Sequence, residues 1–125
     1  MSTRDYLKIK AMSPQFVVSD LHRSVEFYTK ELGFAIDFSF EDFYIGIAKS
    51  GHTIHLKSGD PEIEKREYKE KSEHLDLVIS VEDIESLYQH MTHQPVNIVQ
   101  HLREMPYGRE FYITDPDGYR IAFIE

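Results

Sequence analysis

Two short runs of β-branched and apolar residues, each leading into a stretch of helical period, recur along this chain. The first is FVVSDLHRSVEFY (16–28) and the second is LVISVEDIESLYQHM (77–91). In each, an Asp followed by Leu or Ile opens a series of apolar positions three or four apart. These are Leu21, Val25 and Tyr28 in the first, and Ile84, Leu87, Tyr88 and Met91 in the second. That spacing predicts one buried stripe per helix. Superposing Asp20 on Asp83 places Leu21 over Ile84 and Tyr28 over Met91. Both aspartates are predicted to cap their helices, because a side-chain oxygen at that position accepts an orphan amide hydrogen. Gly33 stands where the first helix should end, and Pro95 follows the second.

Three strand-like runs follow each helix. They are AIDFSF (35–40), FYIGIAK (43–49) and HTIHLK (52–57), then VNIVQHL (96–102), REFYIT (109–114) and YRIAFIE (119–125). The pattern predicts a single α+β domain built from two βαβββ modules, at about residues 10–58 and 74–125, joined by a charge-dense linker at 59–73. Alternation assigns Phe16, Val18, Ile54, Leu56, Leu77, Ile79, Ile121 and Phe123 to a core face. The opposite face collects Ser13, Gln15, Thr53, His55, Lys57, Asp76, Ser80, Tyr112 and Thr114. In a plain two-layer domain that face meets water; in a curled sheet it meets a ligand. Periodicity leaves both open.

At 125 residues the chain is long enough to bury a core. Its 41% hydrophobic and 29% charged content are those of a globular protein. It has no cysteine, which excludes disulfides and thiolate metal sites and points to a cytoplasmic setting. MSTRDYLKIKAM contains no signal-like apolar run, and no stretch has the length of a membrane span. A net charge of -8 argues against nucleic acid and favours a cationic ligand.

Motifs for chemistry are few. Of seven histidines, His52 and His55 lie three apart on a strand and point to opposite faces, so they cannot ligate together. His90 and His93 share a helix end and are read as surface residues. There is no HExxH, no phosphate loop and no nucleophile elbow. Asp115-Pro116-Asp117-Gly118 reads as a type I turn joining the last two strands. Tyr107-Gly108 at a strand entrance suggests an exposed aromatic ring, and Phe38, Phe40, Phe43 and Tyr44 form a second aromatic group.

VVSDLHRSVEFYTKELGF and YGREFYITDPDGYRIAFIE together resemble the two signatures of the vicinal oxygen chelate superfamily, which includes glyoxalases, extradiol dioxygenases and fosfomycin- and bleomycin-resistance proteins. The resemblance runs from about Met12 to Glu125. It implies two βαβββ modules forming a curled mixed sheet, in a dimer. In metal-dependent members four ligands fall at positions matched here by Ser13, His55, Asp76 and Ala122. Alanine carries no donor and serine is a poor one, so His55 and Asp76 remain as weak metal candidates. The resemblance is greatest to bleomycin-resistance proteins, at SVEFYTKELGFAIDFSFEDF and MPYGREFYITDPDG. It implies a homodimer that sequesters a flat cationic drug between aromatic rings, with no catalytic residues and no cofactor. The matching ligand-binding positions are Phe38, Phe43 and Tyr107, with Asp37 for a cationic tail, Lys57, and Gly108 and Arg109 beside Tyr107. Tyr107 replaces the usual tryptophan, and the chain has none. Arg109 and Glu110 read plainly as a surface ion pair. The alternatives are a glyoxalase-like isomerase or lyase using a divalent metal, and a binding module for another metabolite.

Overall fold

The computed structural model describes residues 3–61 and 74–125. A four-residue turn of helix, α1 (Thr3–Tyr6), precedes the first module. That module comprises β1 (Gln15–Val18), α2 (Leu21–Glu26), β2 (Ala35–Phe40), β3 (Tyr44–Lys49) and β4 (His52–Ser58). The second comprises β5 (Leu77–Ser80), α3 (Ile84–Met91), β6 (Asn97–Met105), β7 (Gly108–Thr114) and β8 (Arg120–Ile124). Most of the expected linker at 59–73 lies outside the described residues.

Each module builds its own four-stranded mixed sheet, in the order β1-β4-β3-β2 and β5-β8-β7-β6. The first strand of each runs parallel to the last, and the other neighbours are antiparallel. Two sheets with the same order are what a duplicated βαβββ pattern requires. Phe16, Val18, Ile54, Leu56, Ile121 and Phe123 are buried, as alternation predicts. Leu77 and Ile79 are only partly covered.

The two helices start differently. Asp20 caps α2 as expected, its carboxylate accepting from the amide of Arg23 at 3.1 Å. Asp83 does not cap α3. It sits in the left-handed region (φ 53°), and its side chain makes no capping bond. The carboxylate of Glu125 does that work instead, accepting from the amides of Asp83 and Ile84, each at 2.8 Å. After α2 the backbone widens into a π-helical turn at Phe27–Glu31, which carries the fully buried Tyr28.

The DPDG turn does more than connect β7 to β8. Asp115 and Asp117 are both buried. Asp115 accepts from the amides of Asp117 and Tyr119, each at 2.9 Å, and from the hydroxyl of Tyr28 at 2.8 Å. Asp117 accepts from the amide and hydroxyl of Ser19, at 3.1 and 2.6 Å, and from the hydroxyl of Ser24 at 3.3 Å. Tyr119 stacks on Phe16, with ring centroids 4.4 Å apart, and donates its hydroxyl to the carbonyl of Val17. The turn of module two is therefore the clasp that holds module one.

Candidate functional site

Strand register assembles the face of sheet one that is turned away from α2. Side chains of cross-strand partners share a face. Phe38, Gly46, His55 and Gln15 form one row across the four strands, and Phe40, Tyr44 and Lys57 form the next. A bulge between Ile36 and Phe38 makes this possible, because the extra residue, Asp37, shifts the alternation of β2. Phe38 lies flat against the backbone of Gly46, where an added Cβ would come within 2.1 Å of its ring. Its ring stacks near that of Tyr44 (6.2 Å, 18°) and meets His55 edge-on (5.2 Å, 89°). Phe38 is still 40% exposed. The Gln15 amide donates to Tyr44 Oη at 2.9 Å, and Tyr44 Oη is hydrogen-bonded to Nδ1 of His55 at 2.9 Å. Phe43 lies in the β2–β3 turn and pairs edge-on with Phe40 at 5.7 Å, separate from the Phe38 row. Asp37, Glu41 and Asp42 are exposed beside these rings.

Sheet two presents a polar cluster. Glu110 is 1% exposed, yet it is fully partnered on its face. Arg103 donates to Oε2 through Nε (2.9 Å) and Nη2 (2.7 Å), Tyr112 donates to Oε2 (2.7 Å), and Tyr107 donates to Oε1 (2.5 Å). Burial alone would raise the Glu110 carboxyl; hydrogen bonds from Tyr107, Tyr112 and Arg103 outweigh it and hold the group below the usual carboxylate range. The same bond to Glu110 pushes the Tyr107 hydroxyl up to about 12. Tyr107 is 60% exposed, so its ring is open while its hydroxyl is tethered.

The expected Arg109–Glu110 pair does not form. Successive residues on a strand point to opposite faces, and Arg109 turns toward Glu85 of α3 (3.3 Å) and Glu125 (3.8 Å). Gly108 (φ 137°) admits the chain end: a Cβ there would lie 2.3 Å from the carbonyl oxygen of Glu125. The partner of Glu110 is Arg103, which the sequence pattern leaves just beyond a strand ending at Leu102. In the structure β6 runs on to Met105 and sets Arg103 opposite Glu110.

The four positions matched to metal ligands do not make a donor set. Ser13 Oγ is hydrogen-bonded to Thr53 Oγ1, and His55 Nδ1 is taken by Tyr44. Asp76 accepts from the amide of Arg120 at 2.9 Å and pairs with His74 at 3.4 Å. Ala122 is fully buried and has no donor atom. Among the described residues no three His, Asp or Glu side chains converge.

Two modules of this topology define a class, and the sequence places the chain in it. The sequence model of the Glyoxalase/Bleomycin resistance protein/Dioxygenase superfamily matches residues 10–123, and the chain belongs to that superfamily. A curated relative, Metallothiol transferase FosB of Staphylococcus epidermidis, is 31% identical over 108 residues, which are 85% of this chain and 74% of that protein. Among solved structures, the bleomycin-binding protein from bleomycin-producing Streptomyces verticillus, complexed with copper(II)-bleomycin, superposes with a TM-score of 0.69 at 21% identity. The match covers 94% of this chain and 97% of that one. The antibiotic-binding protein TnmS3 of Streptomyces sp. CB03234 matches with a TM-score of 0.73 at 18% identity, over 94% and 95% of the two chains. At these identities the structural likeness speaks for the fold. Among the described residues no helix is long and apolar enough to cross a membrane.

Proposed function

We propose that this protein sequesters a flat, cationic aromatic small molecule, of the bleomycin type, without making or breaking bonds. The observation that carries this reading is a set of rings that are exposed and yet held. Phe38 is seated on Gly46, and Tyr107 is tethered through its hydroxyl to Glu110. Rings fixed in this way lose little freedom when a planar guest stacks on them. The exposed Asp37 next to Phe38 in the chain, Glu41 and Asp42 between Phe40 and Phe43, and the net charge of -8 suit a cationic tail. The protein acts as a homodimer, with the ligand in a groove at the dimer interface, and it works in the cytoplasm.

The identity to FosB favours a second reading, a metal-dependent transferase. It needs donors that Ser13 and Ala122 do not supply. Bleomycin should raise the melting temperature, because a ligand bound only by the folded state stabilises it by about 2.7 kcal/mol at a hundredfold excess over Kd. Phe38→Ala and Tyr107→Ala should each weaken binding by about tenfold. Elemental analysis should find no stoichiometric zinc, manganese, nickel or iron. No shift with drug removes the drug, and a full metal complement supports the transferase.

A further inference from the structure

The hairpins that join the last two strands of each module are unequal, and the difference leaves a hole. In module two the β7–β8 loop carries Asp115, Asp117 and Tyr119, which close one end of the seam between modules against Ser19, Ser24, Tyr28 and Phe16. By the internal repeat, the β3–β4 turn should close the other end against α3. That turn is only Ser50-Gly51 and has no acid. Met91 stands where the repeat has Tyr28, so there is no hydroxyl for a turn to hold. A Cβ built on Gly51 would meet nothing within 4 Å.

The unfilled end of the seam is a cavity of about 920 Å³. It explains why Leu77 and Ile79, on the core face of β5, are only partly covered: both line it, with Phe34, Ile54, Leu87 and Phe123. Its volume lies within the range of small-molecule pockets, roughly 300–1,000 Å³. The wall is mainly apolar, and the charged lining residues Lys10, Lys49, Glu31 and Glu82 cancel in sign. A charged guest would gain no net attraction there and would lose its hydration.

We propose that this inter-module cavity is a second binding site, taking an uncharged, largely apolar small molecule, separate from the open aromatic faces. The site is lined by β5 and by Leu87 and Met91 of α3 on one side and by the β3–β4 turn and Phe34 of module one on the other, and none of Phe38, Phe43 or Tyr107 contributes to it.

The test is fluorescence titration of the full chain with the neutral probe N-phenyl-1-naphthylamine, which brightens in apolar surroundings. Wild type should bind it saturably. Ile79→Phe, which fills the cavity, should weaken binding by about tenfold or more, whereas Phe38→Ala should leave it within about twofold. Circular dichroism establishes that each variant folds. Should Ile79→Phe fail to fold, Lys10→Trp provides an independent reading. The chain has no tryptophan, so that residue is the sole indole donor at the rim and should transfer energy to bound probe. The proposal is overturned if folded wild type does not bind the probe, if Phe38→Ala abolishes binding, or if the Lys10→Trp donor shows no transfer. It is equally overturned if binding disappears as protein concentration rises, since a second copy then covers the cavity.

Discussion

Glu110 shows how one side chain can set the geometry of a face. A carboxylate that is 1% exposed is costly unless its oxygens are filled, and here two tyrosines and an arginine fill them. Glu110→Gln should destabilise the fold by about 2 kcal/mol, read by denaturant unfolding, because Arg103 loses its counter-charge. The variant should also lower the Tyr107 hydroxyl from about 12 toward the ordinary tyrosine range, read by ultraviolet pH titration. The Glu110 carboxyl is depressed in the folded state, so its stabilisation is present above the ordinary carboxylate range. It is lost as pH falls through the folded value, and the difference between wild type and variant should shrink in acid. Gly46 acts in the opposite sense, by having no side chain. Gly46→Ala should push Phe38 off its seat and weaken bleomycin binding in calorimetry about as much as Phe38→Ala does, by about tenfold.

Helix α3 begins on a borrowed cap. The sequence places an Asp before it, which is ordinarily enough to predict the cap. In the fold, β8 passes beside the helix start, and the carboxylate of Glu125 reaches both free amides while Asp83 takes up a left-handed turn. Those amides hold the Glu125 carboxyl below its usual range. Glu125→Gln should therefore lower the melting temperature by a few degrees at neutral pH. The folded value is the depressed one, so this gap should close as pH falls through it in a thermal scan. Asp83→Ala should cost less through capping, because no capping bond is there to lose. Local pattern determined that a helix starts at Ile84. Which carboxylate caps it depends on a strand some forty residues away.

At the scale of the whole molecule, the DPDG turn decides how the modules meet. Burial pushes the Asp115 carboxyl up to about 6, against the lowering effect of hydrogen bonds from Tyr28 and from the amides of Tyr119 and Asp117. A raised carboxyl binds protons in the folded state before the unfolded chain does. This site therefore adds stability as pH falls from about 7 to about 4, by roughly 2–3 kcal/mol. Asp115→Asn lacks that gain, so wild type should pull ahead of it in melting temperature as pH is lowered over that window. A constant difference would mean that Asp115 does not titrate there.

Much of this was written in the chain. The alternation of Phe16, Val18, Ile54 and Leu56 and the helical spacing from Leu21 to Tyr28 depend on local geometry, and local geometry is periodic. The duplicated pattern therefore determined two βαβββ modules and their core faces by itself. Alanine at 122 and serine at 13 likewise remove donors in any fold. Only tertiary structure decided that Asp115 and Asp117 clasp the other module, and that Arg103 rather than Arg109 partners Glu110. It also decided that Phe38 lies on Gly46 and that the seam beside Met91 stays open. These outcomes depend on register and on which surfaces are brought together across long stretches of sequence. Periodicity records the face a residue points to; it does not record what it meets there.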